Sequence, residues 1–588
     1  MKIFKKKLIA PVFLFAILAG ILGACSDSFL TVTPQAALSA SSLNTQAGVD
    51  AALIGVYAML DGYNIDNNNT WPADPVNWIM GSITTDDAVK GSEQGDGPEN
   101  TQLELYQWTT TNVQLDGKYR PMYEGVARAN NTINLLNATK GLTDDYKNSA
   151  MGQSLFLRAH FHFELYKVFG AIVYLNEVDV AKNNFKKPND KSPDEVLGLI
   201  VADMEQAVSL LPDKQTDRGR VNKKAASAYL GKLYVYQRQW AKAETILAPI
   251  EGSTKLALCQ RDLFTYATEN HEEALFSVQM SLSNSDQARN SNWLNQLANP
   301  VGGGFGCCGF HQPKQNLVNA FHTDAAGLPL LGTDKWLDDS NNSDVDFKTQ
   351  NVDPRLDLVV GRDGVPYWDW AVHDKTFIRS RTYSGPYSPK KMQPYSTSPI
   401  VSGGWNGASN NGVNVPVIRL ADVILLLAEA KVELNKLDEA RVLVNKVRAR
   451  AGNCAQGGFT HGAAEKVITY NLSDPAITWA TYKVGQYPPT WTDQVMARKA
   501  VRFERRLELA MEGHRLFDIR RWDDQEPGYF KKIIDTAYGI EKARGKTGGY
   551  YVDAVPVGSQ HRWYPFPFIE VQLSTENGKP TLTQNPGF

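Results

Sequence analysis

Three groups of side chains in this 588-residue chain could do chemistry. The first is acidic and basic: the neighbours Asp86-Asp87, and the cluster Glu504-Arg505-Arg506, Glu508, Glu512 and Arg515. Two carboxylates held roughly 5–9.5 Å apart could hydrolyse a glycosidic bond. Asp86 and Asp87 are adjacent in sequence and point differently, so they make a poor acid pair. Across 499–512, Ala500, Phe503, Leu507, Ala510 and Met511 fall on one helical stripe. Arg505 can pair with Glu508 one turn on, and Gly513 can end the helix in a left-handed conformation. This cluster reads as an ion-pair network tying helices together, which would be costly to break on one side. The second group, Cys307-Cys308 with His311, is conceivable as a metal site. Adjacent cysteines rarely bridge each other because the geometry is strained, and the surrounding glycines (302–304, 306, 309) predict a loop first. The third group is aromatic, with 13 Trp and 24 Tyr. Most belong in a core, but such rings also serve as flat apolar platforms for the C–H face of a sugar, their polar edges suiting a half-wet site. There is no HExxH, GxSxG or Walker motif.

The N-terminus predicts where these groups work. Lys2, Lys5, Lys6 and Lys7 precede an apolar run, Leu8 to Leu22, as in a secretory signal. Leu22-Gly23-Ala24-Cys25 then resembles the lipobox of bacterial lipoproteins. That resemblance implies cleavage before Cys25 and lipid on its sulfur and its new amino group, an anchor that holds far better with several acyl chains than with one. The alternative is an ordinary signal peptide or a short membrane helix with a chance Cys, though the run falls short of the roughly 20 residues a span needs. The expected layout is a signal over 1–24, a lipidated tether over 25–44 and a body over 45–588. Removing the signal's four lysines takes the formal net charge from −2 to −6, which argues against a nucleic-acid binder. The four cysteines after Cys25 are too few for a disulfide scaffold.

The body reads as mainly α. Helical periodicity predicts helices over 45–60, 119–136, 150–169 (stopped by Gly170), 194–211 (started by Ser192-Pro193), 223–237 and 240–247. The last two resemble a tetratricopeptide helix pair, with small Ala226 and Gly231 and bulky Tyr234 and Trp240. A second such pair spans 420–434 and 437–450, carrying Ala428, Ala430 and Ala440. Small residues let paired helices approach while bulky ones fill the groove to the next pair. Between these blocks, 62–114 and 282–412 are rich in Gly, Asn, Ser and Asp, and few strands are expected. Loops this long are uncommon unless functional, so the N-terminal part (45–281) supplies scaffold and the C-terminal part (282–588) carries the longer binding loops.

In order along the chain stand Cys25-Ser26-Asp27-Ser28-Phe29-Leu30 with Pro34, Tyr123 to Asn130, Leu157-Arg158-Ala159, Phe169-Gly170 and Val352-Asp353-Pro354-Arg355. Then come Arg419-Leu420-Ala421-Asp422, Ala428-Glu429-Ala430, Asn445 to Gly452, Glu504-Arg505-Arg506, Glu512 to Arg515, Phe517-Asp518 and Arg520-Arg521-Trp522. Tyr564-Pro565-Phe566-Pro567 and Gln584-Asn585-Pro586-Gly587-Phe588 close the chain. Each piece is weak alone, but their order and completeness resemble the SusD/RagB family over essentially the whole chain.

The resemblance implies an outer-membrane lipoprotein of Bacteroidetes, facing outward. It would capture oligosaccharides over a SusC-type TonB-dependent transporter and release them into it, with no bond broken and no cofactor, although a structural Ca²⁺ could order the loops. Some members carry peptides, which is the alternative cargo; a lipid-anchored glycoside hydrolase is the third reading. Contacts in the family come from the loop after the first helix and from the irregular middle. Here those hold Trp71, Trp78, Asp86, Asp87 and Trp108, and Trp293, Phe305, Trp336, Tyr367, Trp368 and Trp370. The expected site uses Trp71 and Trp78 as stacking platforms, with Asp86 or Asp87 accepting hydroxyl hydrogen bonds. For any one Trp a place in the core is the competing reading, and Trp108, after Leu103, Leu105 and Tyr106, belongs there. Trp368-Asp369-Trp370 puts two rings on one side if extended.

Overall fold

The computed structural model describes residues 43–63, 71–282, 291–292, 294–331, 347–399, 401–403, 409–453, 474–544 and 550–588. Cys25, Trp293, Trp336 and Cys454 lie outside them. The body is mainly helical. Helices α1 (Gln46–Tyr57), α2 (Val113–Ala138), α3 (Asp144–Phe169), α4 (Pro193–Leu210), α5 (Lys223–Tyr236) and α6 (Trp240–Ser253) form the N-terminal part. Helices α7 (Leu420–Glu433), α8 (Leu437–Gly452), α9 (Gln494–Leu509), α10 (Arg515–Asp523) and α11 (Tyr529–Arg544) follow the long irregular middle.

Local chemistry sets the ends of these helices. The side chains of Thr45, Asn112, Thr143 and Asn222 each accept a backbone N–H of the first turn. Ser192 and Glu195 form a reciprocal capping box at α4, with Pro193 at its first position. α2 starts six residues before the predicted Tyr119, at the Asn112 cap, and runs through Pro121. Gly170 ends α3 as expected, at φ 73°. α9 ends at Leu509, short of the predicted Glu512, because Ala510 leaves the helical region and Met511 and Gly513 take left-handed conformations.

Each helix from α1 to α8 packs on the next, and α9 lies across α7 and α8. The predicted pairs α5/α6 and α7/α8 both form, with α6 stacked on α7. A Cβ on Gly231 would stand 2.2 Å from Leu247, so the α5/α6 pair depends on that glycine's lack of a side chain. Strands are short: β1 (Ala88–Gly91), β2 (Phe276–Val278), β3 (Phe310–Pro313) and β4 (Val415–Ile418), with antiparallel pairs β1–β3 and β2–β4. One buried apolar cluster runs from Val49 to Leu582, so N- and C-terminal parts share a core.

The predicted ion-pair network lies inside that core, although Arg505 pairs with Asp422 and Asp518 from other helices instead of the expected Glu508. Glu508 receives Arg419 at 2.6 Å and Arg355 at 3.1 Å, and also pairs with Arg450. Burial alone would raise its pKa, but Arg450, Arg419 and Arg355 outweigh this and hold the carboxyl far below the usual range. Glu504 bridges Arg355 and Arg448, Asp422 bridges Lys232 and Arg505, and Asp518 bridges Arg505 and Arg521. These carboxylates are buried and engaged by cations, unlike the two open carboxylates that glycoside hydrolysis uses.

Candidate ligand-binding surface

The first expected region is largely interior. Trp71 opens a short 3₁₀ turn (Trp71–Ala73) and is half-buried against the core. Trp78, expected as a platform, has no exposed surface and stacks on His311 at 5.7 Å between ring centres. It begins a π-helical turn (Trp78–Ser82) pressed against the α9–α10 corner. A Cβ on Gly81 would stand 2.1 Å from the Gly513 carbonyl oxygen, and one on Gly513 would stand 1.8 Å from that of Val76.

Asp86 and Asp87 are also buried, which overturns their expected role with sugar hydroxyls. Arg515 forks onto Asp86 at 2.8 and 2.9 Å, and Arg506 reaches Asp87 at 2.7 Å and Asp86 at 3.0 Å. Burial would raise the Asp86 pKa, yet Arg506 and Arg515 hold it at about 2. Trp108 is core as expected, stacked 4.1 Å from Tyr564 with Nε1 donating to the Leu103 carbonyl at 2.8 Å.

The second region holds a separate aromatic cluster of Phe305, Tyr367, Trp368, Phe377 and Tyr395, with Trp370 packed on its outside. Tyr367 and Ala371 pair in a hairpin, and Trp368-Asp369-Trp370 is its turn. Trp368 has φ 48°, so the stretch is not extended and the two rings part. Trp368 turns inward, where the Arg261 guanidinium lies 3.9 Å from its ring centre and the Lys390 amine 4.4 Å. Burial pulls Lys390 down to about 7, while its Nζ donates to the Asp357 and Pro366 carbonyls at 2.8 and 2.7 Å. Phe305 and Trp368 therefore act as support, not contact.

Trp370 remains half-exposed. Its ring lies 4.2 Å from that of Phe305, and Nε1 donates to the Pro394 carbonyl at 2.9 Å, which fixes its orientation. Asp369 beside it accepts the Ser396 and Thr397 backbone N–H groups at 2.5 and 3.1 Å. The glycine loop expected around 302–309 runs alongside. Gly303 has φ 69°, and a Cβ there would stand 2.3 Å from the Phe377 ring. The same loop joins the two half-buried rings, because the 3₁₀ turn Leu294–Ala298 that leads into it lies beside Trp71–Ala73. Sequence reasoning missed Arg261, Lys390 and Tyr395, which are distant in the chain and carry no motif.

Cys307 and Cys308 are bonded to each other, contrary to the expectation for neighbours. Their sulfurs are thereby unavailable as thiolate ligands. His311 is buried on Trp78, and burial lowers its pKa to about 3. Among the described residues no three His, Cys, Asp or Glu side chains converge as metal ligands would.

A family model described as "SusD family" matches residues 272–588, and one described as "Starch-binding associating with outer membrane" matches 28–235. A SusD-like protein of Bacteroides ovatus is 25% identical over 477 residues, 77% of each chain. Among solved structures, a SusD superfamily protein from Bacteroides vulgatus aligns with TM-score 0.66 at 20% identity, covering 93% of this chain and 100% of its own. A laminarin-binding SusD-like protein aligns with TM-score 0.61 at 21% identity, covering 92% and 99%. The family motifs of the sequence, the matched C-terminal half and the shared helical fold agree, and the chain belongs to the SusD family.

Proposed function

We propose that this protein captures oligosaccharides at the outer surface of the cell, anchored by lipid on Cys25, and passes them to a SusC-type TonB-dependent transporter without cleaving them. The observation that carries the reading is Trp370: a half-exposed indole backed by Phe305 and oriented by the Pro394 carbonyl. A ring held this way presents a flat apolar face at little cost in ordering on binding. Trp71, across the loop that starts at the 3₁₀ turn Leu294–Ala298, offers a second face. The family supports glycan cargo, since relatives of the same fold bear the names laminarin-binding protein and surface glycan-binding protein. Among the described residues no helix is long and apolar enough to cross a membrane.

Calorimetry with the mature chain carrying Cys25→Ser, against neutral oligosaccharides and peptides, tests this. Binding of one sugar class, weakened tenfold or more by Trp370→Ala, is expected. Binding of peptides alone, or release of reducing ends from a polysaccharide, would overturn it.

A further inference from the structure

A second concavity, of about 710 Å³, lies apart from the Trp370 loop, between α9, the start of α10 and α11. Two helices turn one face each toward it. From α9 come Val495, Arg498, Lys499, Arg502 and Phe503, and from α11 with its preceding turn come Gln525, Glu526, Tyr529, Lys532 and Ile533. The α9 residues follow three- and four-residue steps and form one helical stripe, as do Tyr529, Lys532 and Ile533 on α11, while Gln525 and Glu526 come from the turn before α11. Arg238, after α5, closes one side.

The lining is positive on balance. Six cationic side chains face three acids, and every one of those acids is already matched. Glu433 takes a fork from Arg498 at 2.7 and 2.9 Å, Glu526 takes Arg502 at 3.0 Å, and Asp524 takes Arg562, outside the cleft, at 2.8 Å. Arg515 is held by Asp86. Arg238 and Lys532 are exposed and make no ion pair among the described residues. Arg502 is 4% exposed and held between the rings of Trp522 and Tyr529, 5.1 and 5.0 Å from their centres. Its Nε has no hydrogen-bond acceptor among the described residues.

We propose that this cleft binds an acidic oligosaccharide, a ligand whose sugars carry carboxylates. Surplus Arg and Lys recognise carboxylates. The half-buried Tyr529 ring and exposed Val495 offer an apolar floor for a pyranose face, and the Arg–Glu pairs and Gln525 mix donors with acceptors as sugar hydroxyls require. A dense polyanion would meet three carboxylates and gain less. The choice of a saccharide over other anions rests on the glycan-capture reading, while the site does not use Trp370.

The test is calorimetry of the full mature chain with Cys25→Ser, at low and high salt. The ligands are tetragalacturonate, a neutral tetrasaccharide of glucose and tetraglutamate. Tetragalacturonate is expected to bind saturably, more weakly in high salt. Lys532→Glu or Arg238→Glu, each checked for an unchanged melting temperature, should weaken it tenfold or more, and Trp370→Ala should leave it unchanged. No binding, binding indifferent to both charge reversals, or equal binding of tetraglutamate would overturn the proposal. Loss of neutral-sugar binding in Trp370→Ala, with the charge-reversed variants behaving normally, would sink the cleft and leave the capture reading standing. The converse pattern would sink the capture reading's site instead.

Discussion

Arg515 donates from Nε and Nη2 to the two carboxylate oxygens of Asp86, closing a fork across 429 positions of sequence. The pair fastens the loop after α1 to the start of α10. It is a structural clamp, so its loss should be read in stability. Arg515→Ala leaves the buried Asp86 carboxylate only Arg506, which it shares with Asp87, and should cost up to about 3–5 kcal/mol in chemical denaturation. Asp86→Ala on that background should restore part of it. The carboxyl sits lower when folded (about 2) than its usual 3.8. Its contribution is therefore present above about pH 4 and lost as pH falls toward 2. Affinity for neutral sugars should not change in Asp86→Asn, and a tenfold loss there would return Asp86 to the binding site.

Asp74 titrates in the opposite sense. Burial raises its carboxyl to about 7, against the pull of the Val76 N–H, Lys118 and Trp78. A raised folded pKa stabilises below the unfolded value and loses that contribution as pH rises through about 7. The melting temperature of the natural protein should accordingly fall between about pH 5 and pH 8. Asp74→Asn keeps an acceptor for the Val76 N–H, 2.7 Å away, and should flatten that fall. Parallel pH profiles for the two proteins would show that Asp74 is not the group responsible.

The scaffold was legible because its signals are local: apolar residues at helical spacing, Ser192 with Glu195, Gly170 after Phe169. The site was not, for two physical reasons. Asp86 and Asp87 stand in a polar stretch that looks solvated, and only folding brings Arg506 and Arg515 from the far end of the chain to bury them. Alternation assigned Trp368 and Trp370 to one side, but a left-handed residue in a hairpin turn sends one ring to Arg261 and leaves the other at the surface. Of the expected contacts, Trp71 and Trp370 keep an accessible face, while Trp78, Phe305 and Trp368 became the packing behind it.

Gly513 and Gly528 are a matched pair for measuring the docking of the Trp78 turn. Both have positive φ, 71° and 91°. Nothing stands within 4 Å of a Cβ built on Gly528, whereas one on Gly513 overlaps the Val76 carbonyl. Gly528→Ala should cost only the left-handed penalty, about 1–2 kcal/mol. Gly513→Ala should cost clearly more, because the 77–82 segment must move off the α9–α10 corner. Equal losses of stability would mean that the corner yields freely and that the close approach contributes nothing.

Arg520 is a cation with aromatic company in place of a carboxylate. Its guanidinium lies 4.9 Å from the Tyr564 ring centre, 5.5 Å from Trp108 and 5.6 Å from Phe530. Nη2 donates to the His561 carbonyl at 3.1 Å, but Nε and Nη1 have no acceptor among the described residues. Burial lowers its pKa to about 10, so it stays charged at neutral pH. Desolvating a lone cation costs several kcal/mol, and a desolvated cation–π contact returns about 2 kcal/mol. Three such ring contacts together offset most of that cost. Arg520→Met, which keeps the apolar stem, should change stability by less than about 2 kcal/mol in either direction, since a hydrophobe there removes the desolvation cost together with the ring contacts. Trp108→Ala should cost about 3–5 kcal/mol, because it opens a cavity and strips one wall from the cage. A larger loss in Arg520→Met than in Trp108→Ala would show that the cage is built around the charge rather than tolerating it.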